Sequence, residues 1–158
     1  MSEIDVQIRH LRPFVCERTL REAAERTLAA HGAAEGATID VAVVDDPSIH
    51  RLNRERLNHD WPTDVISFLY EEEPIAGELI VSADTAERVA GEFGWDPQAE
   101  LALYVVHGTL HLLGYDDQAD EDRTAMQREE NRVLATFGWT PPRDRESPTA
   151  RTAASEGT

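Results

Sequence analysis

Lysine is absent from this chain of 158 residues: all 15 basic residues are arginine, and they stand against 31 acidic residues for a formal net charge of −16. Such an acidic average argues against broad, non-specific binding to duplex nucleic acid, because that binding depends on neutralising many phosphates. It leaves open a substrate strand held by a local arginine patch and a metal ion, since the planar guanidinium fork suits phosphate.

Cysteine and long apolar runs are scarce as well. The chain has one cysteine, Cys16, which excludes an intramolecular disulfide framework and is typical of a reducing compartment. No stretch reaches the roughly 18–20 apolar residues of a membrane span, and the acidic first five residues do not match a secretory signal. We therefore expect a soluble, cytoplasmic protein, and the length predicts one domain.

The periodicity of the chain predicts four strands and five helices. Strand patterns occur at residues 4–8, 38–44, 65–68 and 77–81. Helical periodicity or helix-start signals occur at residues 13–32, 46–57, 82–93 and 96–113, and in a segment with Met126, Val133, Leu134 and Phe137 on its apolar side. A short polar loop joins the third strand to the fourth, which predicts antiparallel pairing. This order predicts an α+β fold, with one mixed sheet of about four strands packed by about five helices.

The composition changes at Pro141 to a stretch rich in proline, serine, threonine and alanine, without apolar periodicity. Such a segment lacks the apolar surface that would offset the entropy cost of ordering it, about 1–2 kcal/mol per residue. We therefore predict that residues 1–140 form the folded domain and that residues 141–158 form a disordered tail.

The most informative motif is His-Gly-Thr-Leu-His-Leu-Leu-Gly-Tyr-Asp-Asp at residues 107–117. His107 and His111 are four residues apart, so that both imidazoles project from one face of a helix and can meet one metal ion. Gly114 favours a left-handed exit from that helix, after which Asp116 or Asp117 can return as a third ligand. Three protein ligands that leave one coordination position open are typical of a catalytic zinc site.

Two other interpretations of the histidine pair compete with a catalytic zinc site of this kind. The histidines follow an apolar helical segment, residues 101–106, and could be core residues whose hydrogen bonds are made within the protein. Buried imidazoles beside carboxylates, however, are best neutralised by a bound cation. A zinc protease would carry glutamate directly after its first histidine as the general base, and Gly108 occupies that position here. The motif therefore favours a metal site outside the protease class, and we expect Gly108 to leave room for a bulky group at the metal.

Residues 107–116 resemble the signature of the YbeY family of rRNA-maturation endoribonucleases. Two more segments resemble that family's other signatures in the same order: Pro-Thr-Asp-Val-Ile-Ser-Phe at residues 62–68 and Gly-Glu-Leu-Ile-Val-Ser at residues 77–82. The resemblance covers about residues 4–138. It implies a zinc-dependent, single-strand-specific endoribonuclease acting in 16S rRNA 3′-end maturation and ribosome quality control. Its partners would be single-stranded RNA, ribosomal RNA and the small ribosomal subunit.

The chain departs from that family's pattern at two positions. Asp117 stands where the family has its third histidine, so that the resemblance implies one Zn²⁺ ion held by His107, His111 and Asp117. A carboxylate ligand widens the tolerance of the site toward Mn²⁺ or Fe²⁺. Leu57 stands where the family has an arginine, and Arg56 is the candidate substitute as a phosphate contact. The alternative for Arg56 is a solvent-facing charge on a helix.

Three functional hypotheses remain at this point. The favoured one is a metal-dependent nuclease in which arginines of the N-terminal part and the second helix guide the RNA backbone: Arg9, Arg12, Arg51, Arg54 and Arg56. The alternative is a non-catalytic ribosome assembly factor whose metal only stabilises the loop after the helix. Another zinc hydrolase is a third interpretation.

Asp64, in the second signature, also has two interpretations. Its carboxylate could orient one of the ligand histidines from behind, as carboxylates do in many metal sites. It could instead satisfy backbone donors at a turn, which is the more common role of aspartate after threonine at such a position.

Overall fold

Strands and helices alternate along the first half of the chain, and helices make up most of the second half. The structure is a computed structural model that describes residues 2–57, 63–146, 148 and 151–152. The strands in this part are β1 (Glu3–Ile8), β2 (Thr38–Val44), β3 (Val65–Glu72), β4 (Ile75–Ser82) and β5 (Arg151–Thr152). The helices are α1 (Glu17–Ala30), α2 (Asp46–Leu57), α3 (Ala83–Phe93), α4 (Pro97–Leu112) and α5 (Asp120–Ala135).

The strands form one mixed sheet in the order β1-β2-β4-β3-β5. Strands β1, β2 and β4 run parallel, and β3 runs antiparallel to β4, which confirms the pairing expected from the short loop. Strand β5 adds two residues to the outer edge of β3, parallel to it and opposite Ile66 and Ser67. The predicted α+β fold of a single domain, with about four strands and about five helices, is confirmed.

The two faces of the sheet carry different helices. On one face, the major core packs the sheet against α1, α3, α4 and α5, and α4 contacts all three of the other helices. On the other face, Ile49 and Leu57 of α2 pack against a smaller cluster that includes Ile66 and Phe68 of β3. Because strand side chains alternate, Val65 and Ser67 point to the α4 face.

The starts of α3 and α4 follow the capping signals, whereas the start of α1 does not. The Ser82 side chain accepts a hydrogen bond from the Thr85 N–H at the start of α3, and Asp96 caps α4 through the Gln98 N–H. We expected helix α1 to begin at Pro13, but it begins four residues later, at Glu17. Pro13 instead lies in a turn that the Val15 N–H closes onto the Arg12 carbonyl at 2.9 Å, a position that also suits proline.

Helix α4 approaches the sheet most closely at Gly108. A Cβ atom built there would lie 2.8 Å from Leu79 Cδ2 and 3.2 Å from both Ser67 Oγ and Val65 Cγ2. The expectation that Gly108 leaves room for a bulky group at the metal is therefore wrong, because the space beside Gly108 is filled by the sheet. The glycine serves helix–sheet packing.

We predict that Gly108→Ala is about 1–3 kcal/mol less stable than Gly91→Ala, which is the cost of overpacking a filled core. Gly91 lies in α3, and a Cβ built there meets no atom within 4 Å, so both variants share the helix-propensity gain of alanine and differ in the clash. Urea unfolding of the two variants measures the difference. Equal stabilities would contradict the close approach.

The segment after α5 lies against the domain at Arg145. The side chain of Arg145 is buried, and its Nε and Nη2 donate to the two carboxylate oxygens of Glu100 at 3.0 and 2.6 Å. Glu100 is fully buried in α4 and also accepts a hydrogen bond from Trp95 Nε1 at 2.9 Å. This bidentate ion pair connects Arg145 to the domain, within the segment 141–158 that we predicted to be a disordered tail.

The rest of the tail prediction concerns residues 147, 149–150 and 153–158, which lie outside the described residues. That these residues are disordered stays a prediction, and so does a domain boundary near residue 140. Among the helices of the described part, none combines the length and the apolar character that a membrane crossing needs.

We predict that Arg145→Met destabilises the fold by about 3–5 kcal/mol, because it leaves the buried Glu100 carboxylate without its cation. Arg143→Met is the matched control, since Arg143 is exposed two residues earlier, and should change stability by less than about 0.5 kcal/mol. Denaturant unfolding of both variants tests this. If Arg145→Met were as stable as its control, the Arg145–Glu100 ion pair would not stabilise the domain.

Candidate metal centre

Three side chains of the metal-ligating type converge where α4 ends and the chain turns back. His107 Nε2 lies 3.1 Å from His111 Nε2 and 3.8 Å from Asp117 Oδ2. The distance from His111 Nε2 to Asp117 Oδ2 is 3.6 Å. Within the described residues, this is the one group of three or more histidine, cysteine or acidic side chains whose ligand atoms all lie within 4.8 Å of one another.

The three separations fit a single divalent ion. Ligand bonds of about 2.0–2.1 Å in tetrahedral geometry place neighbouring ligand atoms about 3.3 Å apart. The observed values of 3.1, 3.6 and 3.8 Å lie close to that spacing. Two imidazole nitrogens and one carboxylate oxygen are donors found in zinc, iron and manganese sites. The group could therefore bind a metal ion.

Local backbone structure determines which aspartate faces the histidines. Helix α4 ends at Leu112, and Gly114 beyond it adopts a φ of 100°. The Tyr115 N–H donates to the Leu110 carbonyl at 3.0 Å. The exposed Asp116 then uses Oδ1 to accept hydrogen bonds from the N–H groups of the next two residues, at 2.7 and 3.3 Å. This turn directs Asp117 back toward the helix, so the structure brings Asp117, and not Asp116, to the histidine pair.

The electrostatics of the group suit a bound cation. His107 is fully buried, and burial lowers the pKa of its imidazole well below the usual range. Its ring is therefore neutral, which is the form that ligates a metal. The hydrogen bond with His111 lowers the pKa of the Asp117 carboxyl, so that this group is anionic at neutral pH.

Glu130 is a functional candidate that the sequence analysis missed. Its carboxylate Oε2 lies 2.5 Å from His107 Nδ1, on the side of the imidazole away from the other two ligands. The residue stands on the apolar face of α5, and Met126, Val133 and Leu134 of the same helix are buried around it. A single acidic residue on an apolar helix face is the signal that could have identified it, because buried carboxylates need a partner.

The structure does not bring Arg56 to this group. The Arg56 guanidinium carbon lies 5.3 Å from the ring centroid of Phe68, a residue whose side chain belongs to the α2 face of the sheet. Helix α4 and its two histidines pack on the opposite face. Arg56 and the histidines are therefore separated by the sheet.

Asp64 lies in the turn before β3 and does what the simpler interpretation expected. Its Oδ1 accepts hydrogen bonds from the Val65 N–H at 2.8 Å and from Thr63 Oγ1 at 3.3 Å. Burial raises the pKa of this carboxyl to about 6. Pro62, which begins the signature, lies outside the described residues. The acidic group behind His107 is Glu130, not Asp64.

Comparison with known proteins places the chain among ribonucleases. The family model described as Endoribonuclease YbeY matches residues 4–138. Endoribonuclease YbeY of Rhodopirellula baltica is 46% identical over 132 residues, which cover 79% of this chain and 68% of that protein. Endoribonuclease YbeY of Pelotomaculum thermopropionicum is 45% identical over 130 residues, covering 77% of this chain and 86% of that protein.

A solved structure has a similar fold. The solution structure of TM1509 from Thermotoga maritima superimposes with a TM-score of 0.61 at 25% sequence identity, covering 92% of this chain and 100% of that one.

Endoribonuclease YbeY of Bacillus subtilis is 36% identical over 135 residues, which cover 77% of this chain and 83% of that protein. With the family model matching most of its length, this chain belongs to the YbeY endoribonuclease family.

Proposed function

We propose that the protein is a metal-dependent endoribonuclease of the cytoplasm that cuts single-stranded RNA. Its substrate would be ribosomal RNA on the small ribosomal subunit, in 16S 3′-end maturation and ribosome quality control. The observation that carries the proposal is the convergence of His107, His111 and Asp117 within 4.8 Å at the end of α4, in a chain of this family.

The roles of the ligands follow from their geometry. His107 and His111 would hold one ion through Nε2, and Asp117 would hold it through Oδ2. When bound, such an ion polarises a phosphate oxygen and supplies a nucleophile at neutral pH. Zn²⁺ is the ion that we propose, with Mn²⁺ or Fe²⁺ tolerated because one ligand is a carboxylate.

The depth of the site supports a single-stranded substrate. The His107 side chain is fully buried and that of His111 is 8% exposed, whereas that of Asp117 is 20% exposed, so the group opens on the Asp117 side. Residues 71–130 contain 16 acidic residues and three arginines, a charge that repels a rigid, highly charged duplex. A flexible single strand can present one phosphate at a recessed site without bringing many others close to that surface.

The position of Arg56 favours a second candidate function. A phosphate contact by Arg56 remains part of our proposal, but the contact would be made on the α2 face, away from the phosphate at the ion. A protein with an RNA-contacting arginine on the face opposite its metal ligands could also dock on the ribosomal subunit without cutting RNA. This non-catalytic assembly factor is the alternative that the next experiment separates from the nuclease.

We predict that cleavage of a single-stranded RNA by the purified protein stops after removal of metal by a chelator and returns with Zn²⁺ or Mn²⁺. The matching duplex should be cut much more slowly. Quantification of cleaved RNA on denaturing gels measures both effects. Cleavage that survives complete metal removal would contradict the metal-dependent mechanism, and binding of RNA without any cleavage would support the assembly factor.

We predict that Asp117→Asn weakens Zn²⁺ binding by more than about 100-fold. Even the loss of a residue that only hydrogen-bonds to a ligand lowers metal affinity roughly 10–100-fold, and the loss of a ligand should cost more. Asp116→Asn is the matched control: it removes the same charge from the adjacent residue and keeps an oxygen that can accept the turn hydrogen bonds. Competition with a chromophoric chelator measures both affinities. If the two variants bound zinc equally, Asp117 would not be the third ligand.

A further inference from the structure

The contact between His107 and Glu130 joins two buried side chains from different helices. The His107 side chain is fully buried and that of Glu130 is 2% exposed, and the two atoms, Nδ1 and Oε2, lie 2.5 Å apart. Helix α5 packs against α4 here through Met126, Val133 and Leu134. The carboxylate is thus held in a fixed position by the packing of the helix that carries it.

A carboxylate at this position selects one tautomer of the imidazole. If Glu130 is ionised, its carboxylate accepts hydrogen bonds and donates none, so the proton of a neutral ring is on Nδ1, which donates to Glu130 Oε2. The lone pair of the ring is then on Nε2. This is the nitrogen that faces His111 Nε2 at 3.1 Å and Asp117 Oδ2 at 3.8 Å.

The arrangement also accounts for an acidic residue inside an apolar interface. An isolated buried carboxylate is costly, and a neutral imidazole offsets that cost only in part. A divalent ion held at Nε2 of the same imidazole would supply compensating positive charge, and the carboxylate would in turn make the ring a stronger donor to that ion. Glu130 therefore fits a metal-bound His107 better than a structural one.

We propose that Glu130 is a positioning residue: it holds His107 as the Nδ1–H tautomer and directs Nε2 at the ion. The part that concerns metal affinity rests on the proposed function, whereas the part that concerns the tautomer holds for the metal-free protein. Asp64, the other carboxylate considered for this role, uses Oδ1 on the Val65 N–H and the Thr63 hydroxyl.

The test compares Glu130→Gln with Glu129→Gln. Glutamine at position 130 keeps the shape of the side chain, but its amide can accept or donate, so it no longer forces the proton onto Nδ1. Glu129 is the neighbouring residue of α5, and its carboxylate contacts His31 Nε2 at 3.0 Å, so Glu129→Gln removes the same charge without touching His107. Thermal unfolding of both variants establishes that they are folded.

The first readout is the ¹⁵N NMR spectrum of the histidine rings in the metal-free protein. We expect the parent chain and Glu129→Gln to show the Nδ1–H form of His107, and Glu130→Gln to show a mixture with the Nε2–H form. The second readout is zinc affinity by chelator competition, which should fall about 10–100-fold in Glu130→Gln and change less than about twofold in its control.

The parent spectrum alone can overturn the proposal, even if Glu130→Gln fails to fold, because a proton on Nε2 of His107 would show that Glu130 does not set the tautomer. Unchanged tautomer and affinity in a folded Glu130→Gln would overturn it as well. A parent protein that binds no divalent ion would overturn the proposed function instead. A loss of the Nδ1–H form in Glu130→Gln would then still support the positioning role in the apo protein.

Discussion

The close packing of α4 on the sheet is the constraint on which the rest of the structure depends. Gly108 lets the helix approach Leu79, Val65 and Ser67 so closely that its position along its own axis is fixed. His107 is the residue before that contact, and so the place of its imidazole is determined by core packing rather than by a loop. A site whose first ligand is held in this way needs little reorganisation to accept an ion.

The buried side of α4 also carries polar groups, and segments that follow α4 in the chain satisfy them. Glu100 pairs with Arg145 beyond α5, His107 pairs with Glu130 in α5, and His111 meets Asp117 in the connecting loop. Buried polar groups of this kind are costly when unpaired and specify a unique arrangement when paired. The C-terminal part of the chain is therefore bound to the domain by polar contacts as well as by the apolar side chains of α5.

Local signals were sufficient for much of the fold and for the convergence of the candidate ligand group. The bounds of α2, the caps of α3 and α4 and the β3–β4 pairing each depend on residues within a few positions of one another. The spacing of the two histidines before a glycine is local in the same sense. What the sequence could not show are contacts across the chain: Glu130 behind His107, Arg145 on Glu100, and Arg56 on the far face of the sheet.

The substitution of aspartate for the family's third histidine changes the charge balance of the proposed centre. A divalent ion held by His107, His111 and Asp117, with the carboxylate of Glu130 behind His107, would be surrounded by two negative charges and would be close to neutral. A divalent ion held by three neutral imidazoles, with Glu130 as the one nearby carboxylate, would instead leave the centre with a net positive charge. A neutral centre in the acidic half of the chain attracts a phosphodiester only weakly over distance. The affinity of this protein for RNA would therefore depend more on its arginines than on the ion itself.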